Sequence, residues 1–317
     1  MNDYLLLILG LIAAGCGGEL FVRGTVKLAY WARISPGIVA TTIAAFATSS
    51  PELTVSITAS MLSRPQIALG DALGSNVVNI ALILGIAISV ARIHCPKDCV
   101  KRDFPVALLV PSITGLLLLD GKLSRSDGVL LLSFFIIWLI AVTFEIKKQR
   151  KESKEAVKQR EGIIAAIQSV SGLLLLIIAG RLIIYGATGV MQSLGLDAFI
   201  IGATVIAFGT SAPELATIII AKLKHHDDIA LGTVLGSNIF NGLLITSVAA
   251  IISPISIIWS EIMATSFIGI LSVVSLFPSS NGYIERRRGY LLLVLYVIYL
   301  IVITQSQGVN GPQQLRL

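Results

Sequence analysis

Charge is scarce in this chain. Of its 317 residues only 13% are Asp, Glu, Lys or Arg, while 55% are hydrophobic and the mean hydropathy is +0.87. Soluble domains carry roughly 25% charged residues, so the polar surface needed to cover a water-soluble globule is missing and the bilayer is the solvent for most of the chain. Cysteine is scarce too: Cys16, Cys95 and Cys99 form an odd set without framework spacing, which excludes a disulfide scaffold. A soft-metal centre would have only His94, Cys95 and Cys99 to draw on, and Lys222 to Asp228 (KLKHHDD) reads as a solvated loop. No segment alternates apolar and polar residues over about ten positions, which excludes a transmembrane barrel. The first apolar run lacks a basic start and a small-residue cleavage site and continues to Trp31, so it reads as a retained helix rather than a leader.

What the chain has is a series of apolar stretches bounded by charge, Gly or Pro: 4–30, 35–63, 67–91, 104–119, 125–144, 163–193, 197–221, 228–252, 259–277 and 288–305. Most exceed the ~18 residues needed to cross about 30 Å of hydrocarbon as a helix. The one long polar segment, 145–161 (EIKKQRKESKEAVKQRE), sets seven Lys/Arg against four acids and shows no apolar face. The expected fold is therefore an all-α polytopic membrane protein of ten transmembrane helices. Residues 1–144 form a first five-helix repeat, 145–161 a charged linker and 162–317 a second five-helix repeat.

Lys and Arg are retained on the cytoplasmic side of a membrane, so their placement orients the spans. With the linker inside, the loops sharing its side hold Arg33, the group from Arg92 to Arg102, Lys222 with Lys224, and Arg286 to Arg288. Together with the linker these amount to 17 Lys/Arg, against four (Arg64, Lys122, Arg125, Arg316) on the opposite side. Both termini are then expected outside a cell membrane crossed many times. The net charge of +6 is a topology signal rather than the mark of a nucleic-acid partner.

Sliding the sequence by 162 residues without a gap reveals an internal duplication. TSSPEL (48–53) falls on TSAPEL (210–215), and IALGDALGSNVVNIAL (67–82) falls on IALGTVLGSNIFNGLL (229–244), identical at 10 of 16 positions. Five spans per repeat is an odd number, so the second copy enters from the opposite face. Inverted repeats of this kind are an architecture of secondary transporters, with a substrate site near the midplane where the halves meet.

Spans two and seven each place an acid beside a proline in mid-membrane, at Pro51-Glu52 and Pro213-Glu214. An intramembrane charge costs about 2.5 to 3.5 kcal/mol on insertion scales, and something must offset it. Proline cannot donate a helical hydrogen bond, so backbone carbonyls nearby are freed where irregular backbone is tolerated only against protein or a wet cavity. The adjoining turn adds the hydroxyls of Thr48, Ser49, Thr210 and Ser211. Spans three and eight add Ser75 with Asn79, and Ser237 with Asn241, each pair four residues apart on one helix face. Every candidate ligand is an oxygen, which favours hard cations such as calcium or sodium over zinc or copper. Two ionised glutamates match one divalent or two monovalent cations, a simple basis for competition at a shared site. Gly74 and Gly236 also suit close helix packing.

On these motifs the chain resembles the cation/calcium exchanger superfamily, and the prokaryotic sodium/calcium exchangers in particular. The likeness spans nearly the whole length, and the family's G-T-S-x-P-E followed by G-S-N-x-x-[ND] is met in each half apart from the first glycine of the first half. It implies a secondary active antiporter, not an enzyme, that exchanges calcium for sodium by alternating access and needs no cofactor beyond the transported ions. Glu52 and Glu214 would be shared ligands, and the backbone carbonyls of Thr48 and Thr210 would complete the calcium site. Sodium would use Ala45, Ser49, Ser75, Ala207, Ser211 and Ser237, and helices one and six would slide across the other eight. Three departures stand out: Ala47 where the motif has glycine, Asn at both 79 and 241, and Asp71 where Asn is usual. Asn at 79 and 241 predicts transport that needs no potassium, because an acid at the latter position helps bind potassium in the potassium-dependent branch. Asp71 reads either as an outer-side gate acid that attracts cations or as an acid held near a helix N-terminus. Glu19 and Arg23, four residues apart, can pair with each other.

The alternative function is calcium/proton exchange, although the G-N-x-x-E pattern of that branch is absent from both repeats. An intramembrane aspartyl protease would want G-x-G-D and a second buried aspartate, and Ala68-Leu69-Gly70-Asp71 lacks the first glycine. A channel is disfavoured by the inverted, interrupted helices.

Overall fold

The structure is a computed structural model that describes residues 3–152, 159–191, 202–257 and 259–309. It is helical almost throughout. In chain order the helices are α1 Asp3–Ala32, α2 Pro36–Thr48, α3 Ser50–Met61, α4 Pro65–Val90, α5 Lys97–Leu117, α6 Arg125–Glu152 and α7 Gln159–Met191. They continue with α8 (202–210), α9 Ala212–Leu223, α10 Asp227–Ile252, α11 Trp259–Ser275 and α12 Arg286–Val309. Four two-residue strands sit in the loops: β1 Ile93–His94, β2 Lys122–Leu123, β3 Ile255–Ser256 and β4 Tyr283–Ile284. Residues 153–158 of the linker, 197–201 at the start of the seventh span and the two chain ends lie outside the described residues.

Each expected span has a helical counterpart, but the ends differ for physical reasons. Helix α6 continues to Glu152 and α7 begins at Gln159, so both run into the segment read as a linker. Lys, Glu, Gln and Arg are strong helix formers, so polarity there does not end a helix. Helix α5 starts at Lys97, one residue after Pro96, because its charged first turns are also compatible with a helix. Among the described residues, five helices are long and apolar enough to cross a membrane on their own, or six with α2 and α3 counted as one bent span. Others, such as α1 with Glu19, Arg23 and Lys27, carry charges that lower their apolar score.

Helices α4 and α10 form the centre: 78% of the apolar window of each is buried, against 22% to 28% for α6, α7 and α12. The outer helices turn Ile137, Phe144, Ile163, Ile167, Val294 and Val297 outward, the surface expected against lipid. Helix α1 lies along α7. A Cβ at Gly17 would sit 3.0 Å from the Gly172 carbonyl, and Lys27 donates to Gln168 at 3.2 Å.

The loops gather in two groups, each joining both halves of the chain. On one face β1 pairs antiparallel with β4, the His94 amide donates to Asp227, and Ser35 beside the Arg33 loop donates to Gln149 of α6. Lys222 binds the Arg92 carbonyl and Asp227 there as well. On the other face β2 pairs with β3, Gln66 donates to the Ser256 carbonyl, and Arg125 donates to the Ile251 carbonyl.

The candidate ion site

The two motif segments fold alike. Helix α2 ends at Thr48, Ser49 adopts φ −82° and ψ 8°, and α3 opens with Pro51 in its first turn, bent 41° from α2. In the second repeat, Ser211 takes φ −78° and ψ 6° between α8 and α9, with Pro213 in the first turn of α9. A proline ring is accepted in the first turn of a helix but not within one, so it forces the break just before the glutamate. A π-helical turn precedes each break, at residues 40–44 and 202–206, and another lies in each central helix, at 78–84 and 240–245. Such turns insert one residue into the helical ladder and commonly mark functional sites.

The breaks deliver Glu52 and Glu214 to the interior, both fully buried. The Ser237 hydroxyl donates to Glu214 Oε1 at 3.0 Å and Ser49 approaches the same oxygen at 3.5 Å. Ser237 also meets Thr48 Oγ1 at 3.3 Å, and the mirror pair Ser75 and Thr210 lies at 3.4 Å. Thr48 and Thr210 donate back to the carbonyls of Ala45 and Ala207 at 3.3 Å each, and Ser75 donates to the Ala207 carbonyl at 3.4 Å. Both oxygens of Glu52, Oε2 of Glu214 and the Ser211 hydroxyl have no hydrogen-bond partner. Buried carboxylate oxygens without donors are costly unless a cation meets them. No ion pair among the described residues includes either glutamate.

The structure thus gathers ten of the twelve sequence-predicted residues around the two breaks: Ala45, Thr48, Ser49, Glu52, Ser75 and their mates Ala207, Thr210, Ser211, Glu214 and Ser237. Asn79 and Asn241 are buried deeper along α4 and α10. Asn79 donates to Asn238 Oδ1 at 3.2 Å, and neither polar atom of the Asn241 amide has a partner. Two residues were not singled out from sequence: Asn76 donates to the Asn238 carbonyl at 3.2 Å and Asn238 returns the bond to the Asn76 carbonyl at 3.0 Å. This reciprocal exchange clamps α4 to α10 on the pseudo-two-fold axis. The Asn that closes each GSN triplet, at 76 and at 238, is the available signal. Asp71 is fully buried and accepts from Thr210 Oγ1 at 3.0 Å. Among the described residues no three His, Cys, Asp or Glu converge on one metal position, so His94, Cys95 and Cys99 form no such group.

The close approach depends on glycine. A Cβ at Gly74 would lie 2.5 Å from the Ala203 Cα, and one at Gly236 would overlap the Thr41 carbonyl oxygen and lie 2.6 Å from the Ala45 Cβ. These contacts bring Ser75 to Thr210 and Ser237 to Thr48, so the packing role read for both glycines is also what closes the site.

Two like halves of membrane helices enclosing a buried, oxygen-lined pair of carboxylates define a polytopic membrane protein of the ion-exchanger class. A family model described as sodium/calcium exchanger protein matches residues 3–144 and 164–305, and the chain belongs to that family. It is 34% identical over 258 residues to inner membrane protein YrbG of Escherichia coli, covering 78% of this chain and 79% of that protein. It is 27% identical over 345 residues to the sodium/calcium exchanger MaX1 of Methanosarcina acetivorans, covering 95% and 98%. Among solved structures, the sodium-calcium exchanger NCX_Mj soaked with sodium and strontium superposes with a TM-score of 0.81 at 28% identity, covering 95% of this chain and 98% of that one.

Proposed function

We propose that this protein exchanges calcium for sodium by alternating access at one midplane site formed by Glu52 and Glu214. The observation that carries the reading is the pair of fully buried glutamates at matching helix breaks, with three of their four carboxylate oxygens lacking a donor. Calcium takes six to eight oxygens at about 2.3 to 2.6 Å. The carboxylates, the carbonyls of Thr48 and Thr210 and nearby hydroxyls supply that chemistry. Sodium draws on Ala45, Ser49, Ser75 and their mates Ala207, Ser211 and Ser237. Asn79 and Asn241 border the site as neutral groups, which leaves the glutamates to balance the cation charge. Residues 1–144 and 162–317 act as inverted halves in a cell membrane, with the linker cytoplasmic and the termini outside.

The test is reconstitution into liposomes, with radiolabelled calcium uptake driven in turn by sodium, proton and potassium gradients. Uphill uptake driven by sodium is expected. Uptake driven by protons and not by sodium would replace the reading with calcium/proton exchange, and flux that no gradient drives uphill would make the protein a channel.

A further inference from the structure

A cavity of about 20 Å³ lies beside the Asn76–Asn238 clamp, walled by α4, α5 and α11. Asn76, only 9% exposed, lines it together with Ala107 and Pro111 of α5 and Ser266 of α11. The amide nitrogen of Asn76 is engaged by the Asn238 carbonyl, and its Oδ1 has no partner. The Ser266 hydroxyl has none either. Pro111 sits within α5 and has no N–H, so the carbonyl of Ala107, four residues earlier, loses its helical donor. Residues four apart share a helix face, and because both line the cavity the freed carbonyl lies on that side of α5. Helix α11 closes over the proline: a Cβ at Gly269 would lie 3.3 Å from the Pro111 Cβ.

Two of these groups, the Asn76 oxygen and the Ala107 carbonyl, only accept, and the hydroxyl of Ser266 has a single hydrogen to give. A buried acceptor left without a donor is costly, so the donors must come from a guest. A cavity holds a water once it offers roughly 10 to 15 Å³ and two to four polar partners, and this one offers both. No charged residue lines it, so a cation at this depth would have nothing to balance it. We propose that the cavity is a binding site for a single structural water, which donates to Asn76 Oδ1 and to the Ala107 carbonyl and accepts from the Ser266 hydroxyl. The water then ties α5 and α11 to the clamp where α4 and α10 meet, and it fixes the side chain of Asn76 next to Ser75 in the chain. The site is independent of which ions the protein carries.

The experiment is a crystal structure of the full chain at a resolution that shows ordered water, determined in sodium and again with rubidium in its place. A density peak at hydrogen-bond distance from Asn76 Oδ1, the Ala107 carbonyl and the Ser266 hydroxyl is expected, the same in both salts. Ser266→Ala, which removes the hydrogen bond given to the water, is expected to weaken that peak and to lower the thermal midpoint in detergent. Three results in the wild type would each overturn the proposal: no peak there while other buried waters are visible, a peak that scatters anomalously once rubidium replaces sodium, or a Ser266 hydroxyl bonded to its own helix instead. A peak and a midpoint both unchanged in Ser266→Ala would overturn it too.

Discussion

Replacing Gly236 by Ala tests whether helix contact sets the geometry of the ion site. The added Cβ would lie 2.6 Å from the Ala45 Cβ and 2.8 Å from the Thr41 carbonyl carbon. Carbon atoms rest at about 3.5 to 4.0 Å, so α10 and α2 must part by roughly 1 Å. Ser237, the next residue, meets Thr48 at 3.3 Å and Glu214 at 3.0 Å, and the first of these contacts would open beyond hydrogen-bond range. Overpacking of this kind costs about 1 to 3 kcal/mol of stability. A displacement of about 1 Å at a site can cost on the order of 100-fold in rate, and calcium's ligand distances tolerate only a few tenths of an ångström. The expected outcome in proteoliposomes is at least about a ten-fold rise in the half-saturating calcium concentration, with a lowered thermal midpoint in detergent. Gly115→Ala serves as the control, because its Cβ would meet only the Ser266 side chain at 3.3 Å. Wild-type calcium affinity in Gly236→Ala would refute the link between this contact and the site.

Glu52→Gln and Glu214→Gln should each abolish sodium-driven calcium uptake while the protein remains folded by size-exclusion profile, since an amide cannot balance a divalent charge; uptake by either variant within ten-fold of wild type contradicts the shared-site reading. Sodium-driven calcium uptake should proceed unchanged when potassium is replaced by choline, because neutral Asn stands at 79 and 241; dependence on potassium would count against it. Asn238→Ala removes one half of the exchange with Asn76 and leaves a buried carbonyl without its donor, at a cost of about 1 to 3 kcal/mol. Thermal unfolding should therefore shift downward while the ion stoichiometry stays the same, and an unchanged midpoint would show that the clamp adds no stability.

Much of this organisation is legible in the sequence. The 162-residue duplication announced two like halves, and an acid beside a proline in mid-span announced both the helix break and the buried charge. The count of basic residues predicts a sidedness for the loops, and the β1–β4 and β2–β3 pairings each join loops that it assigns to one side. Contacts between repeats were not legible. Periodicity shows which residues share a face of one helix, as for Ser75 and Asn79, but carries no information on the register between helices. For that reason the mutual contact of Asn76 and Asn238 is visible only in the structure. The π-helical turns leave no compositional trace. Glu19 was matched to Arg23 four residues on, yet it also pairs with Lys224 of the distant loop at 2.8 Å, a partner that only the packing of α1 against α9 supplies.

The two-residue strands carry a mechanical consequence out of proportion to their size. Each ribbon takes one strand from each half of the chain, and the two ribbons lie on opposite faces. They act as staples at the top and bottom of one block, fastening the ends of α4 and α10 to the ends of α5, α6, α11 and α12. Helices α1 and α7 contribute no strand to either staple. A body stapled at both ends resists shear between its parts. Eight residues of extended chain thus tie the two halves together at both ends of the block.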